Sequence, residues 1–243
     1  MNSAVFGKSL LIVQFLITVH IRTIMKIELR QLNSTDLYGY KGDMRTKTDK
    51  KRNEIINIAG ELFLTQGYGA VSMSTIAAAV GGSKGTLYGY FPSKEELFAA
   101  FVVSIGEQRW EEFMKLPVEP VGIEPRLVAL GCRYLRFLLS QEIVSINRLV
   151  IAEAARFPEL GRIFFDNGPK SVIGVITATL NQANETGELR IDDPASAAWR
   201  FKSLCEARLF EQFLWAIRSS VTDTEIRENV EPACAIFLNT YHR

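Results

Sequence analysis

The chain of 243 residues is poor in the side chains that carry most enzyme and metal chemistry. It has two histidines, His20 and His242, near opposite ends, which speaks against a zinc site or a histidine-based catalytic group. The three cysteines, Cys132, Cys205 and Cys234, are odd in number and scattered, so they read as neither a disulfide framework nor a metal set. Long apolar runs are also missing. Leu10 to Ile21 is only about a dozen residues with Gln14 and His20 inside it, where a spanning helix needs roughly 20. Lys8 precedes that run as in a signal peptide, but no small-residue cleavage site follows. No segment shows the strand signature between turn signals. The string GGSKGT at 81–86 looks like a phosphate loop, yet it lacks the required spacing and a preceding strand. No catalytic residue, metal ligand or cofactor is expected.

What the chain does have is concentrated in residues 72–97, SMSTIAAAVGGSKGTLYGYFPSKEEL. Met73, Ile76, Ala77 and Val80 recur at helical spacing and make one apolar face. Gly81-Gly82 stops that helix, because glycine takes left-handed backbone angles cheaply. Ser83 is placed to cap a second helix whose inner face is Leu87 and Phe91, at i and i+4. Its other face carries Lys84, Thr86, Tyr88 and Tyr90, all donors and one a cation. That is the layout of a helix-turn-helix, in which the first helix braces and the second lies in the DNA major groove. An amphipathic helix with Ile55, Ala59, Leu62, Phe63 and Gln66 precedes it, ended by Gly67 and Gly69. Another follows at once, with Ser93 as cap and Glu96 three residues on.

Charge agrees with a DNA-facing N-terminal part. The net charge is only +1, but residues 44–94 carry seven Lys/Arg against three Asp/Glu, and residues 95–243 carry 16 against 21.

The segment from about Thr48 to Phe98 resembles the DNA-binding domain of the TetR/AcrR family of bacterial transcriptional regulators. The resemblance rests on Ala59, Phe63, Gly67-Tyr68, Ile76-Ala77, Gly81, Ser83-Lys84-Gly85-Thr86-Leu87-Tyr88, Phe91 and Ser93-Lys94-Glu95-Glu96-Leu97, in order and at the family spacing. Two residues depart from the pattern. Gly82 stands where an apolar residue usually packs the turn, and Gly89 where many members have a bulkier side chain. From Met44 onward the chain resembles the usual start of the family, a short basic arm and then the first helix. Residues 1–43 are therefore either an extension outside the family pattern or an upstream over-call of the start codon.

The expected fold is all-α: residues 44–98 as a three-helix DNA-binding domain, and 99–243 as a helical bundle for effector binding and dimerisation. Phe157-Pro158-Glu159-Leu160, Gly187-Glu188-Leu189-Arg190 and Asp193-Pro194 resemble the AcrR-type regulatory domain more loosely. In the periodicity, one helix runs from Asp193-Pro194 to Ile217, with Asp193 as cap.

Lys84 and Lys94 are expected to neutralise phosphates, Lys94 from a helix N-terminus. Tyr88 and Tyr90 are expected to donate to phosphates, and Thr86 to reach a phosphate or a base edge. The resemblance adds Gly85 to this set. Ser72 and Ser83 are either backbone contacts or mere caps, and Tyr88 has a half-buried packing alternative. The resemblance further implies a homodimer on a palindromic operator, released by a small, moderately apolar effector, in the cytoplasm and off the membrane. It puts the effector pocket among the middle helices, with Phe101, Trp110, Phe113, Tyr134, Phe137, Phe164 and Phe165 as candidate lining. It puts the dimer interface on the last two helices. There Trp199, Phe210, Phe213, Leu214 and Phe237 give more apolar surface than one helix stripe needs, or else form the domain's own core. The rival functions are a non-specific architectural DNA-binding protein and, further off, a helical enzyme.

Overall fold

The structure, a computed structural model, describes residues 42–114 and 122–241. The apolar run Leu10–Ile21 and nearly all of the 1–43 extension lie outside the described residues. The described residues from Lys47 onward belong to one compact unit. The described residues form helices and no strand, as expected. In chain order these are α1 (Gly42–Gln66), α2 (Met73–Val80), α3 (Lys84–Tyr90), α4 (Lys94–Met114), α5 (Ile123–Leu138) and α6 (Gln141–Glu153). Then follow α7 (Pro158–Asn167), α8 (Pro169–Glu185), α9 (Pro194–Glu206), α10 (Leu209–Leu214) and α11 (Asp223–Tyr241).

Local signals set most of these boundaries. Gly67, Gly81 and Gly187 take positive φ at the ends of α1, α2 and α8. Asp193 accepts from the Ser196 amide at 3.0 Å to open α9, with Pro194 at its first turn. Thr222 and Glu225 make a reciprocal capping box for α11: the Glu225 amide donates to Thr222 Oγ1 at 3.2 Å, and the Thr222 amide to Glu225 Oε2 at 2.9 Å.

The continuous helix expected from Asp193-Pro194 to Ile217 is interrupted. It breaks at Ala207-Arg208, where Arg208 has φ of 72°, and resumes as α10. Neither glycine nor proline marks the place. The carbonyl of Cys205 is satisfied from outside the helix, by Asn229 Nδ2 of α11 at 2.8 Å, so a tertiary partner replaces a helical bond.

Apolar side chains collect in two cores. The first holds Ile55, Phe63, Tyr68, Ile76, Leu87, Phe91 and Phe98, and also Ile146, Leu149, Val150 and Leu160 of α6 and α7. The second lies among α5, α8, α9 and α11, around Leu127, Tyr134, Ile176, Phe201 and Phe237. Cys132, Cys205 and Cys234, far apart in sequence, are all buried in it. Burial pushes the Cys234 thiol up to about 12, and nearby Cys132 adds to the shift.

Candidate nucleic-acid interface

The reading unit is α2, a two-glycine turn and α3. Ser72 caps α2 by accepting from the Thr75 amide at 3.1 Å, and Ser83 caps α3 by accepting from the Thr86 amide at 3.0 Å. Each cap contributes about 1 kcal/mol to a helix otherwise too short to persist. The turn depends on Gly81, whose φ of 69° suits a residue without Cβ, and whose amide bonds back to Ala78 O at 3.2 Å. Gly82 has ordinary backbone angles and open space around it, so no close approach demands glycine there.

α3 is sharply two-sided. Leu87 and Phe91 are 2% and 3% exposed and point into the first core. Lys84, Gly85, Thr86 and Gly89 are exposed, and Tyr88 is 49% exposed. Gly89 leaves open space on that face, since a Cβ there would meet nothing within 4 Å. Tyr90 is half-buried and packs against the first core. Both capping hydroxyls are already engaged, Ser72 with Thr75 Oγ1 at 2.8 Å and Ser83 with Thr86 Oγ1 at 2.9 Å. Each serine is thus a cap first, and what is left of its hydroxyl is shared with a threonine.

Lys94 differs from the expectation of a phosphate-seeking side chain. Its ammonium turns inward and donates to Tyr68 O and Val71 O, both at 2.9 Å. It sits 4.1 Å from the centre of the Tyr68 ring and 5.6 Å from that of Phe157. Burial holds its pKa below the ordinary lysine range, against the opposing pull of Glu95, Glu153 and Glu159. The physical reason is local: the α1–α2 loop offers two carbonyls that no helix satisfies, and Lys94 is the cation beside them. Its neighbour Glu95 accepts from the Tyr68 hydroxyl at 3.2 Å.

The seven aromatics expected to line one effector pocket do not converge. Phe101 belongs to the first core and fills the space above Gly60, where a Cβ would lie 2.1 Å from its ring. Phe164 is half-buried against that same core. Trp110, Phe113 and Phe137 cluster at ring distances of 5.2 to 6.3 Å against the second core. Tyr134 is buried nearby and donates its hydroxyl to Glu206, which also pairs with Lys202. Phe165 lies at the surface, 44% exposed, stacked on Trp199 at 6.0 Å. Helical spacing placed these rings on helix faces, and the helix packing sent the faces to three different places.

The interface residues divide similarly. Phe213 and Phe237 are 3% and 1% exposed and serve the second core of their own chain, so they are not free to meet a partner. Phe210 and Leu214 are half-buried, and Trp199 is open to solvent at 38%. The sequence reading missed Ile236 of α11, exposed at 55% beside the buried Phe237. Its signal was the helical phase: one residue from a core position on a two-sided helix.

A short two-sided helix capped by serine, seated on a bracing helix and backed by a helical domain, defines a helix-turn-helix DNA-binding protein of the transcriptional-regulator class. Residues 55–101 match the model of bacterial regulatory proteins of the tetR family, and residues 125–243 match that of the AefR-like transcriptional repressor C-terminal domain. The chain is 34% identical to the solved flavonoid-responsive regulator FrrA, over 80% of this chain and 98% of that one, with a TM-score of 0.71. It is 28% identical to a TetR family transcriptional regulator from Pseudomonas syringae pv. tomato str. DC3000, over 80% and 98%, with a TM-score of 0.62. The HTH-type transcriptional regulator UidR of Escherichia coli K12 is 25% identical over 150 residues, 62% of this chain and 74% of that protein. The chain belongs to the TetR family of bacterial transcriptional regulators, which are DNA-binding proteins and not enzymes. Members bind DNA operators, typically as dimers answering to small-molecule effectors. Among the described residues no helix is long and apolar enough to cross a membrane.

Proposed function

We propose that two copies of this chain bind a two-fold operator as a repressor, each laying α3 in the major groove, and that a small effector releases them. The two-sidedness of α3 carries this reading. Leu87 and Phe91 anchor the helix from behind, while Lys84, Gly85, Thr86 and Tyr88 form an exposed polar strip. Lys84 pairs with a phosphate, Tyr88 donates its hydroxyl to one, and Thr86 reaches a base edge with its hydroxyl or methyl. Ser72, Ser83 and Tyr90 support the strip from its ends, and Lys94 holds the loop behind it. Two such helices sit about one duplex turn apart, roughly 34 Å, or more.

The dimer forms through α9 and α11, where Trp199 and Ile236 are exposed. The effector meets the C-terminal domain near Trp110 and Phe137, half-buried rings packed against the second core, which also holds Tyr134. Because FrrA is named for its response to flavonoids, planar polyphenols are the first effectors to try. Binding acts by favouring a head spacing that no longer fits the operator. The working compartment is the cytoplasm, where operators are.

Selection of bound sites from random duplex DNA tests the reading. A repressor binds its selected site at least about 10³-fold more tightly than unselected duplex. Similar affinity for every duplex would favour the architectural alternative instead.

A further inference from the structure

The end of α6 and the turn into α7 reach the loop that leads into the DNA-reading unit, and the side chain of Glu153 makes the polar contact. The Gly69 amide, in the loop between α1 and α2, donates to Glu153 Oε1 at 3.2 Å. The fit is close at both loop glycines. A Cβ on Gly67, which has φ of 84°, would lie 2.8 Å from Glu153 Oε1. A Cβ on Gly69 would lie 3.0 Å from the Phe157 ring and 3.3 Å from Glu153 Oε2. Phe157 meets the Tyr68 ring edge-on at 5.2 Å. Lys94 takes the two loop carbonyls, Tyr68 O and Val71 O. The loop is therefore held at two kinds of backbone group, by a cation at its carbonyls and a carboxylate at its amide.

Both ends of this contact are tied into neighbouring elements. Glu153 closes α6, whose Ile146, Leu149 and Val150 are buried in the first core. Its own carbonyl accepts from the Arg156 and Phe157 amides at 3.0 and 2.8 Å, which fixes the turn into α7. On the other end, Val71 is followed directly by Ser72, the cap of α2. A shift of the α6 terminus moves the carboxylate, the loop and the start of the bracing helix together.

We propose that Glu153 is a positioning residue for DNA binding: its carboxylate, on the Gly69 amide, sets the orientation in which α2 and α3 are presented to the duplex. The proposal rests on the DNA-binding reading above but assigns to it a residue outside the helix-turn-helix, 84 positions on in the chain. Hydrogen bonds to a charged acceptor are among the stronger ones, and this one joins the end of α6 directly to the backbone of the α1–α2 loop.

The test uses full-length Glu153→Ala and Glu153→Gln beside the unaltered protein, with amide hydrogen exchange at Gly69 and affinity for the duplex that the unaltered protein selects. Glu153→Ala is expected to speed Gly69 exchange and to weaken the selected duplex, each by about tenfold. The salt dependence of binding should stay the same, because no phosphate contact is lost. Glu153→Gln keeps an acceptor oxygen and is expected within about threefold of the unaltered protein in both readouts. Wild-type exchange at Gly69 in Glu153→Ala, or loosened exchange with unchanged affinity, overturns the proposal. Should the unaltered protein select no duplex at all, the DNA-binding reading falls and the positioning role with it, while Gly69 exchange still decides whether Glu153 holds the loop.

Discussion

The reading unit at 72–91 and the helical domain behind it are built from the same kinds of residue, yet they follow different rules. In the first, Ile76, Ala77, Val80, Leu87 and Phe91 go inside as their phase requires, and serine or glycine marks three of the four helix ends. In the second, rings with equally good spacing scatter to two cores and the surface, and a helix breaks where no residue announces it. The difference is one of range. α2 and α3 are each no longer than eight residues and are defined by contacts three or four positions apart. The helices of the second core are defined by partners that the sequence brings from 24 to more than 70 positions away, such as Asn229 to Cys205 and Tyr134 to Glu206.

The largest expected effect contrasts two phenylalanines. Phe63 is fully buried, with Tyr68, Phe98 and Phe101 rings at 5.4, 5.8 and 6.3 Å. Phe63→Ala should cost about 3–5 kcal/mol in denaturant unfolding, through lost burial and a cavity. Phe165→Ala, removing an exposed stacked ring, should cost about 1 kcal/mol or less. Equal losses would break the distinction between ring positions drawn here.

A smaller contrast lies within the turn. Gly81→Ala forces a Cβ into a left-handed residue and should cost about 1–2 kcal/mol. Gly82→Ala meets neither strain nor crowding and should be neutral or stabilising by up to about 1 kcal/mol, from reduced freedom of the unfolded chain. A Gly82→Ala loss as large as that of Gly81→Ala would show that the turn needs two glycines.

Two lysines separate DNA contact from internal support. Lys84→Ala should lower the logarithmic salt slope of DNA binding by about one for each recognition helix, with the melting temperature unchanged. Lys94→Ala should lower the melting temperature by a few degrees, since two loop carbonyls lose their donor, and leave that slope nearly alone. The opposite pattern would return Lys94 to the phosphates.

The smallest effect is at the start of α11. Thr222 backbone and Arg218 hydrogen bonds, joined by the Thr222 hydroxyl, hold the Glu225 carboxyl down to about 2. A carboxylate with a depressed folded-state pKa contributes stability above its unfolded value, near 4.5. That contribution fades as pH falls from there toward 2. Protection from amide exchange in the first turn of α11, taken relative to the intrinsic rate at each pH, should therefore fall over that interval, and Glu225→Gln should remove this fall.

How far the sequence could be read follows from the same distinction of range. The caps Ser72, Ser83, Ser93 and Asp193, the stops Gly67 and Gly81, and the Leu87/Phe91 anchor were all legible, because each is a local geometry with a residue preference. Lys94 was legible as a cation but not in its direction, since its carbonyl partners lie 23 and 26 positions earlier in the chain. Phe213 and Phe237 showed as large apolar residues on terminal helices, and periodicity alone cannot tell a domain's own core from a partner's. The break after Glu206 had no signal at all, because Asn229 supplies from another helix what a proline or glycine would otherwise mark.

The most direct measurement of the central claim compares Thr86→Ala with the unaltered protein on the selected duplex and on a set of single-base variants of it. If the outer strip of α3 reads DNA, Thr86→Ala keeps its melting temperature and loses discrimination at one or two base positions, by about 1–3 kcal/mol each. An unchanged preference profile at every position, with the protein still folded, would contradict the assignment of α3 as the reading helix.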